Sequence, residues 1–244
     1  MRPAEPKALA KRPLMDAWGD AIPQMQMVGK MAIVPICGPM LNGAAASDKY
    51  YAGYMAHDDV HEDIDKALAD GAKQILFNVD SPGGTVSGTP ELAARIAGLP
   101  GQGVLTAAYM GRLCASAAYF AIAGCQAIIA APSAVVGSIG TIWETINVAS
   151  ALERMGIEWS VFTSDGLKGT GHPGRKLSDE QKKWMQGMVD QMAGEFKAHV
   201  TQFRKVGPEV MRGQIFTGTE AVKNGLVDLT AANLAEVMKV LGSE

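Results

Sequence analysis

The sequence predicts an α/β fold. Short apolar runs alternate with amphipathic stretches of helical period, a pattern that implies parallel strands joined by right-handed crossover helices. Composition agrees: 48% hydrophobic and 19% charged residues over 244 positions suit a folded domain with a sizeable core.

Taken in order, residues 1–29 lack a clear period and are rich in Pro, Met and Ala, which reads as an N-terminal extension or arm, with the folded domain over 30–244. "MAIVPI" at 31–36 reads as the first strand. The small-residue stretch 37–55 reads as a lid or surface loop. Over 58–69 a helix presents Val60, Ile64, Ala67 and Leu68 on one face, and Gly71 stops it. "QILFNV" (74–79) is a buried strand. A glycine turn leads to a helix over 90–97 and a strand over 103–109. "CASAAYFAIAG" is a short apolar helix, "QAIIAA" a strand, and "SAVVGSIG" a strand and turn. A helix over 148–155 and a strand over 157–162 follow. Ser178 opens a long helix through a capping box with Gln181, with Trp184, Met188, Met192, Phe196 and Val200 as its stripe. "TGTEAVKNGLVD" reads as helix, turn and strand, and 231–241 as a closing helix.

Bulk properties exclude several function classes. A formal net charge of −3 gives no electrostatic reason to expect nucleic-acid binding. Cys37, Cys114 and Cys125 have no metal-ligand spacing and read as reduced core thiols. No apolar stretch reaches the roughly 18–20 residues that span a bilayer, and the basic N-terminus has no apolar segment behind it, so the chain reads as soluble. "HDDVH" at 57–61 differs by one residue from the HExxH zinc helix. However, Asp58 is a methylene shorter than the required glutamate and no third ligand is evident, so no metal and no cofactor are expected.

Three segments carry candidate chemistry. "DSPGG" (80–84) follows a strand with two adjacent glycines; lacking Cβ, Gly83 and Gly84 allow a backbone N–H to face a pocket, as an oxyanion hole requires. Ser116, at the start of the alanine-rich helix, is either an ordinary N-cap or a nucleophile with Ala117 N–H as a second oxyanion donor. "SDGLKGTGHPGRK" supplies Lys168, flanked by Leu167 and glycines, unlike the solvated Lys182 and Lys183. Lysine serves as a general base where an apolar, water-poor setting favours its neutral form.

In order, "DSPGG", "CASAAYFAIAG", "APSAVVGSIG", "SDGLKGTG" and "FTGTEAVKNGLVD" resemble the signal peptide peptidase A family and the phage prohead (capsid maturation) proteases of the same serine–lysine clan. The resemblance covers about residues 31–228. It implies a Clp-protease/crotonase-like spiral of parallel strands with crossover helices, and peptide hydrolysis by a Ser–Lys dyad. Ser116 falls at the nucleophile position, although "ASAAYF" carries alanines where the family's "ASGGYY"-type motif has glycines. Lys168 falls at the general base, in "DGLKG" rather than a "GKYKD"-like context. Ser138 of "GSIG" would orient the lysine, and Gly83 and Gly84 match the oxyanion-hole glycines.

The resemblance further implies a peptide or protein substrate, a homo-oligomer, and a location in the cytoplasm or a phage prohead. It implies membrane association only where an N-terminal anchor has been removed. Two other readings share the fold: a crotonase-type acyl-CoA enzyme, which has no need of Ser116 with Lys168, and a catalytically silent assembly scaffold.

Overall fold

The structure, a computed structural model, describes residues 24–43 and 53–242. The chain divides into two compact units: one formed by residues up to Ile139 together with those from Lys197 onward, the other by Gly140–Phe196.

The first unit is built on a sheet that contains eight strands among the described residues. Its main path runs β1 (Gln26–Val28), β2 (Met31–Cys37), β5 (Gln74–Ser81), β6 (Leu105–Ala115), β7 (Ala127–Ala130) and β10 (Leu229–Thr230). From β2 to β10 every neighbouring pair on this path is parallel, whereas β1 lies antiparallel on β2. Helices cover strands of this kind, so they read as near-continuous apolar runs, as "MAIVPI" and "QILF" do. Met31, Leu76, Ala107, Tyr109 and Ile129 pack on one side with Ala231 and with Val237 of the closing helix (Leu234–Val240).

β6 forks. Its first half, from Ala107 to Met110, pairs with β7, while Leu113–Ala115 pairs with β8 (Val135–Gly137). β8 in turn lies antiparallel to β9 (Ile215–Thr217). At the level of the fork the β5–β6 register shifts, between Val79 and Ser81, and the end of β6 stays paired to β5 through Ser81 and Cys114.

Helix α1 (His57–Ala69) buries Val60, Ile64 and Ala67, the face the period predicts. α2 (Thr89–Gly98) follows the glycine turn, and α3 (Ala117–Ile122) is buried along its whole length. Tyr119 of α3 donates from its hydroxyl to Leu226 O at 2.7 Å, satisfying the one polar atom of a buried ring. Arg204 is also buried. It donates to the carbonyls of Ala123 and Cys125 and pairs with Asp228, whose carboxylate accepts the Ile128 N–H as well. These bonds tie the end of the long helix α5 (Asp179–Phe203) to the turn that follows α3, with the guanidinium's desolvation offset by three charge-assisted hydrogen-bond partners.

Several expectations change. Residues 1–23 of the expected arm lie outside the described residues, but Gln26–Val28 forms the edge strand β1 rather than an arm. Of the expected lid over 37–55, residues 44–52 lie outside the described residues. The flanking parts are not all loop: β3 (Met40–Leu41) and β4 (Met55–Ala56) pair in parallel, and Met40 is fully buried. Cys114 and Cys125 are buried free thiols, and burial pushes Cys125 up to about 12, while Cys37 is half-buried.

The second unit holds α4 (Ala149–Arg154), a glycine-rich loop and most of α5. The capping box forms as predicted. Gln181 N–H donates to Ser178 Oγ at 3.2 Å, and Ser178 N–H donates to Gln181 Oε1 at 3.1 Å. The predicted stripe on α5 winds out of register. Steps of four residues advance about 400°, or 40° beyond a full turn each time, so Trp184 is exposed while Phe196 and Val200 are buried, and Gln181 and Met185 take the inner positions at the start. The predicted strand over 157–162 is absent. That stretch has β-forming residues, but no described strand lies beside it, and an extended segment without a ladder partner is not a strand.

Candidate active site

Ser116 sits where the forked end of β6 turns into α3. Its backbone adopts φ 53° and ψ −126°, a region almost reserved for glycine. Neighbouring bonds lock that conformation: Ser116 N–H donates to Gly137 O at 2.9 Å, and Ser116 O accepts Phe120 N–H at 3.0 Å. Its side chain makes no capping bond, so the ordinary N-cap role is not taken up. The strand-to-helix turn is strained and leaves the serine hydroxyl without a capping bond.

The "DSPGG" turn packs on this corner. A Cβ placed on Gly83 would come 2.7 Å from Ser116 Cβ and 2.8 Å from Ala117 N, and Gly83 has φ +101°. Gly83 N–H donates to Ser81 Oγ at 3.1 Å and Gly83 O accepts Met40 N–H at 2.8 Å. Gly84 lies against Met40, and a Cβ there would stand 1.8 Å from Met40 O. Met40 O is taken by Thr85 N–H at 2.9 Å, and Gly84 N–H makes no hydrogen bond among the described residues. Arg112 pairs with Asp80 at the start of the turn, its Nε 2.7 Å from the carboxylate.

The β6–β8 register sets Ala115 beside Gly137, which places Ser138 next to Ser116 at the ends of paired strands. Ser138 is the other non-glycine residue with positive φ, at 55°, and its N–H donates to Gln214 O at 2.6 Å. The first unit thus brings together Ser116, Ala117, Ser138, Gly83 and Gly84.

Lys168 belongs to the second unit and its side chain is exposed in the single chain. Its loop is held locally. Lys168 N–H donates to Asp165 O at 3.2 Å, Thr170 Oγ1 to Leu167 O at 2.6 Å, and Gln181 Nε2 to Gly166 O at 2.7 Å.

The "HDDVH" histidines take other partners. His61 Nδ1 accepts from Arg95, which also pairs with Asp65. His57 is buried and its Nε2 lies 3.1 Å from Thr89 Oγ1. Burial holds both imidazoles below their ordinary pKa, so they stay neutral at pH 7. Among the described residues no cluster of three or more His, Cys, Asp or Glu side chains could hold a metal.

Sequence reasoning missed Ser81, Met40 and Gln214, which fix the turn and Ser138, Ser81 through its side-chain hydroxyl and the other two through backbone bonds. Only Ser81 left a signal, since a serine two residues before a glycine N–H is a common turn former.

The pattern of Peptidase family S49 matches residues 102–242, more than half of the chain. The chain belongs to peptidase family S49. Ser116, Ser138 and Lys168 lie inside the matched region, and the Gly83–Gly84 turn precedes it. S49 relatives are of several kinds. The chain is 32% identical over 158 residues to slr0021 of Synechocystis, provisionally assigned as a protease, covering 63% of this chain and 57% of that one. It is 31% identical over 168 residues to an Enterococcus faecium protein provisionally assigned as signal peptide peptidase SppA, covering 67% and 48%. It is 25% identical over 207 residues to capsid assembly protease C of Escherichia phage lambda, covering 83% and 47%. The chain spans about half the length of these curated relatives. No helix among the described residues is long and apolar enough to cross a membrane.

Proposed function

We propose that this S49 chain is a serine endopeptidase in which Ser116 is the nucleophile and Lys168 the general base. The observation that carries the reading is Ser116 itself: a serine held at positive φ on a strand-to-helix turn, its hydroxyl free of capping, with Gly83 packed against it. Lys168 takes the Ser116 hydroxyl proton as Oγ bonds to the peptide carbonyl carbon. The carbonyl oxygen then carries the negative charge toward the N–H groups of Gly84 and Ala117. Gly83, whose own N–H is held by Ser81, shapes the turn. Ser138 hydrogen-bonds and orients the lysine. The C–N bond breaks, lysine returns the proton to the leaving amine, and water hydrolyses the acyl-enzyme. A crotonase-type or silent reading gives Ser116 no reason to be strained.

The test is a fluorophosphonate probe, followed by mapping of the labelled residue, with a peptide-cleavage assay of Lys168 variants. Labelling is expected at Ser116. Lys168→Ala is expected to lower kcat by about 10²–10⁴-fold, and Lys168→Arg to rescue nothing, because guanidinium does not give up its proton. Labelling elsewhere, or full activity in Lys168→Ala, overturns the dyad.

The substrate is proposed to be unfolded polypeptide. The names of the relatives point to two sources, signal-peptide remnants and capsid or scaffold protein. Burial of the exposed Lys168 between copies of the chain would supply the dry setting its role needs. Phe162 is 94% exposed and Ile142 and Ile146 each 76%, all in the second unit. Apolar side chains this exposed favour a homo-oligomer that covers them. Sedimentation at micromolar concentration is expected to give a mass above the monomer, and a lone monomer there would refute the assembly.

A further inference from the structure

His57 and Thr89 lie outside the proposed chemistry, yet both are almost fully buried, at 1% and 2% exposure, beside the turn that carries Gly84. Thr89 opens α2, and its hydroxyl donates to Thr85 O at 2.8 Å. With that proton committed, Thr89 Oγ1 can only accept from the imidazole, so His57 carries its proton on Nε2 and donates across 3.1 Å. The site is closed on its far side, because a Cβ on Gly88 would meet His57 Nδ1 at 2.8 Å, leaving the ring no room to turn away.

From Thr85 the chain of bonds reaches the active-site turn. Thr85 N–H is held by Met40 O at 2.9 Å, and Met40 N–H is held by Gly83 O at 2.8 Å, so Gly84 is clasped between them. Asn42 adds a second grip: its N–H donates to Thr85 Oγ1 at 3.2 Å and its side-chain amide to Ser87 Oγ at 2.8 Å. Backbone bonds to Met40 restrain one side of Thr85. The pull of Thr89 on the Thr85 carbonyl restrains the other and fixes the rotation of the segment.

We propose that His57 and Thr89 are positioning residues: the relay from His57 Nε2–H through Thr89 Oγ1 to Thr85 O keeps Thr85 N–H on Met40 O, and so holds Met40 where its own N–H orients the Gly83–Gly84 peptide and with it the Gly84 N–H. The inference rests on the oxyanion role proposed for Gly84. A donor aimed at the developing charge contributes to the transition state far more than to substrate binding, so loss of aim lowers kcat with little change in KM.

Two readouts test it, on the full chain. In peptide hydrolysis, Thr89→Val, which keeps the shape and removes the hydroxyl, and His57→Phe are each expected to lower kcat about tenfold with KM held within about twofold. Thr89→Ser and His57→Gln, which restore the hydroxyl and a donor near Nε2, are expected to recover kcat to within about threefold. The double variant Thr89→Val/His57→Phe is expected to be no worse than the weaker single one, because one relay is broken once. The second readout needs no activity: exchange of the hydrogen-bonded amides of Met40 and Thr85 is expected to quicken about tenfold in Thr89→Val and not in Thr89→Ser. Unchanged kcat and unchanged exchange in a folded Thr89→Val protein overturn the relay, as do losses that multiply in the double variant. If the wild-type chain neither cleaves peptides nor labels at Ser116, the peptidase reading fails, and the exchange experiment still decides whether the relay holds the turn.

Discussion

Ser116→Ala is expected to abolish peptide cleavage, with a fall in kcat on the order of 10⁵–10⁶-fold, the size seen when an acyl-forming serine is removed. The backbone makes a second, opposite expectation for stability. At φ 53° and ψ −126° a side chain is strained, at a cost of about 1–3 kcal/mol. Alanine keeps its Cβ, so Ser116→Ala should melt close to the wild type. Glycine removes the Cβ, and after its larger unfolded-state entropy is set against the relief, Ser116→Gly should gain about 1 kcal/mol while remaining inactive. Paired measurement of kcat and urea midpoint checks both. An active Ser116→Ala protein sinks the nucleophile, and a Ser116→Gly protein less stable than Ser116→Ala sinks the strain.

The second large effect belongs to Gly84. A Cβ there would lie 1.8 Å from Met40 O, 2.5 Å from Met40 C and 2.7 Å from Met40 N. All three are backbone atoms, and Met40 is itself held on both sides of the glycine by Gly83 O and Thr85 N–H. Nothing flexible can yield, so the strand pair must separate. Gly84→Ala is expected to destabilise the fold by more than about 3 kcal/mol, beyond the usual range for a surface turn. Gly83→Ala meets Ser116 Cβ at 2.7 Å and is expected to distort the nucleophile as well. Denaturant unfolding of each variant measures the loss, and a Gly84→Ala chain with the wild-type midpoint would refute the packing.

Those two glycines show what the sequence does and does not disclose. "DSPGG" announces that bare backbone is needed at two adjacent positions. It does not announce against what, because the neighbours come from far along the chain: Met40 for Gly84, and the Ser116–Ala117 peptide for Gly83. The parallel sheet is legible because strands covered by helices must be apolar throughout, and the capping box at Ser178 is legible because its partners are three residues apart. The fork of β6 is invisible, since the same strand residues suit either neighbour. The strand expected over 157–162 fails because local propensity cannot supply a pairing partner. The stripe on α5 slips because a strict four-residue repeat is slightly longer than a helical turn. Ser116 and Ser138 stand out by motif, but their positive φ values follow from tertiary bonds to Gly137 O and Gln214 O.

The antiparallel pairing of β8 with β9, and the hold of Gln214 O on Ser138 N–H, have a consequence for synthesis. β9 is translated only after all of residues 140–196. A ribosome-bound chain that has already emerged through Ser116 therefore still has a β8 edge with no neighbour and a Ser138 with no brace. The corner around Ser116 stays unfinished until the stretch around residue 215 has cleared the exit tunnel, so Ser116 and Ser138 are both translated well before the bond that braces Ser138 can form.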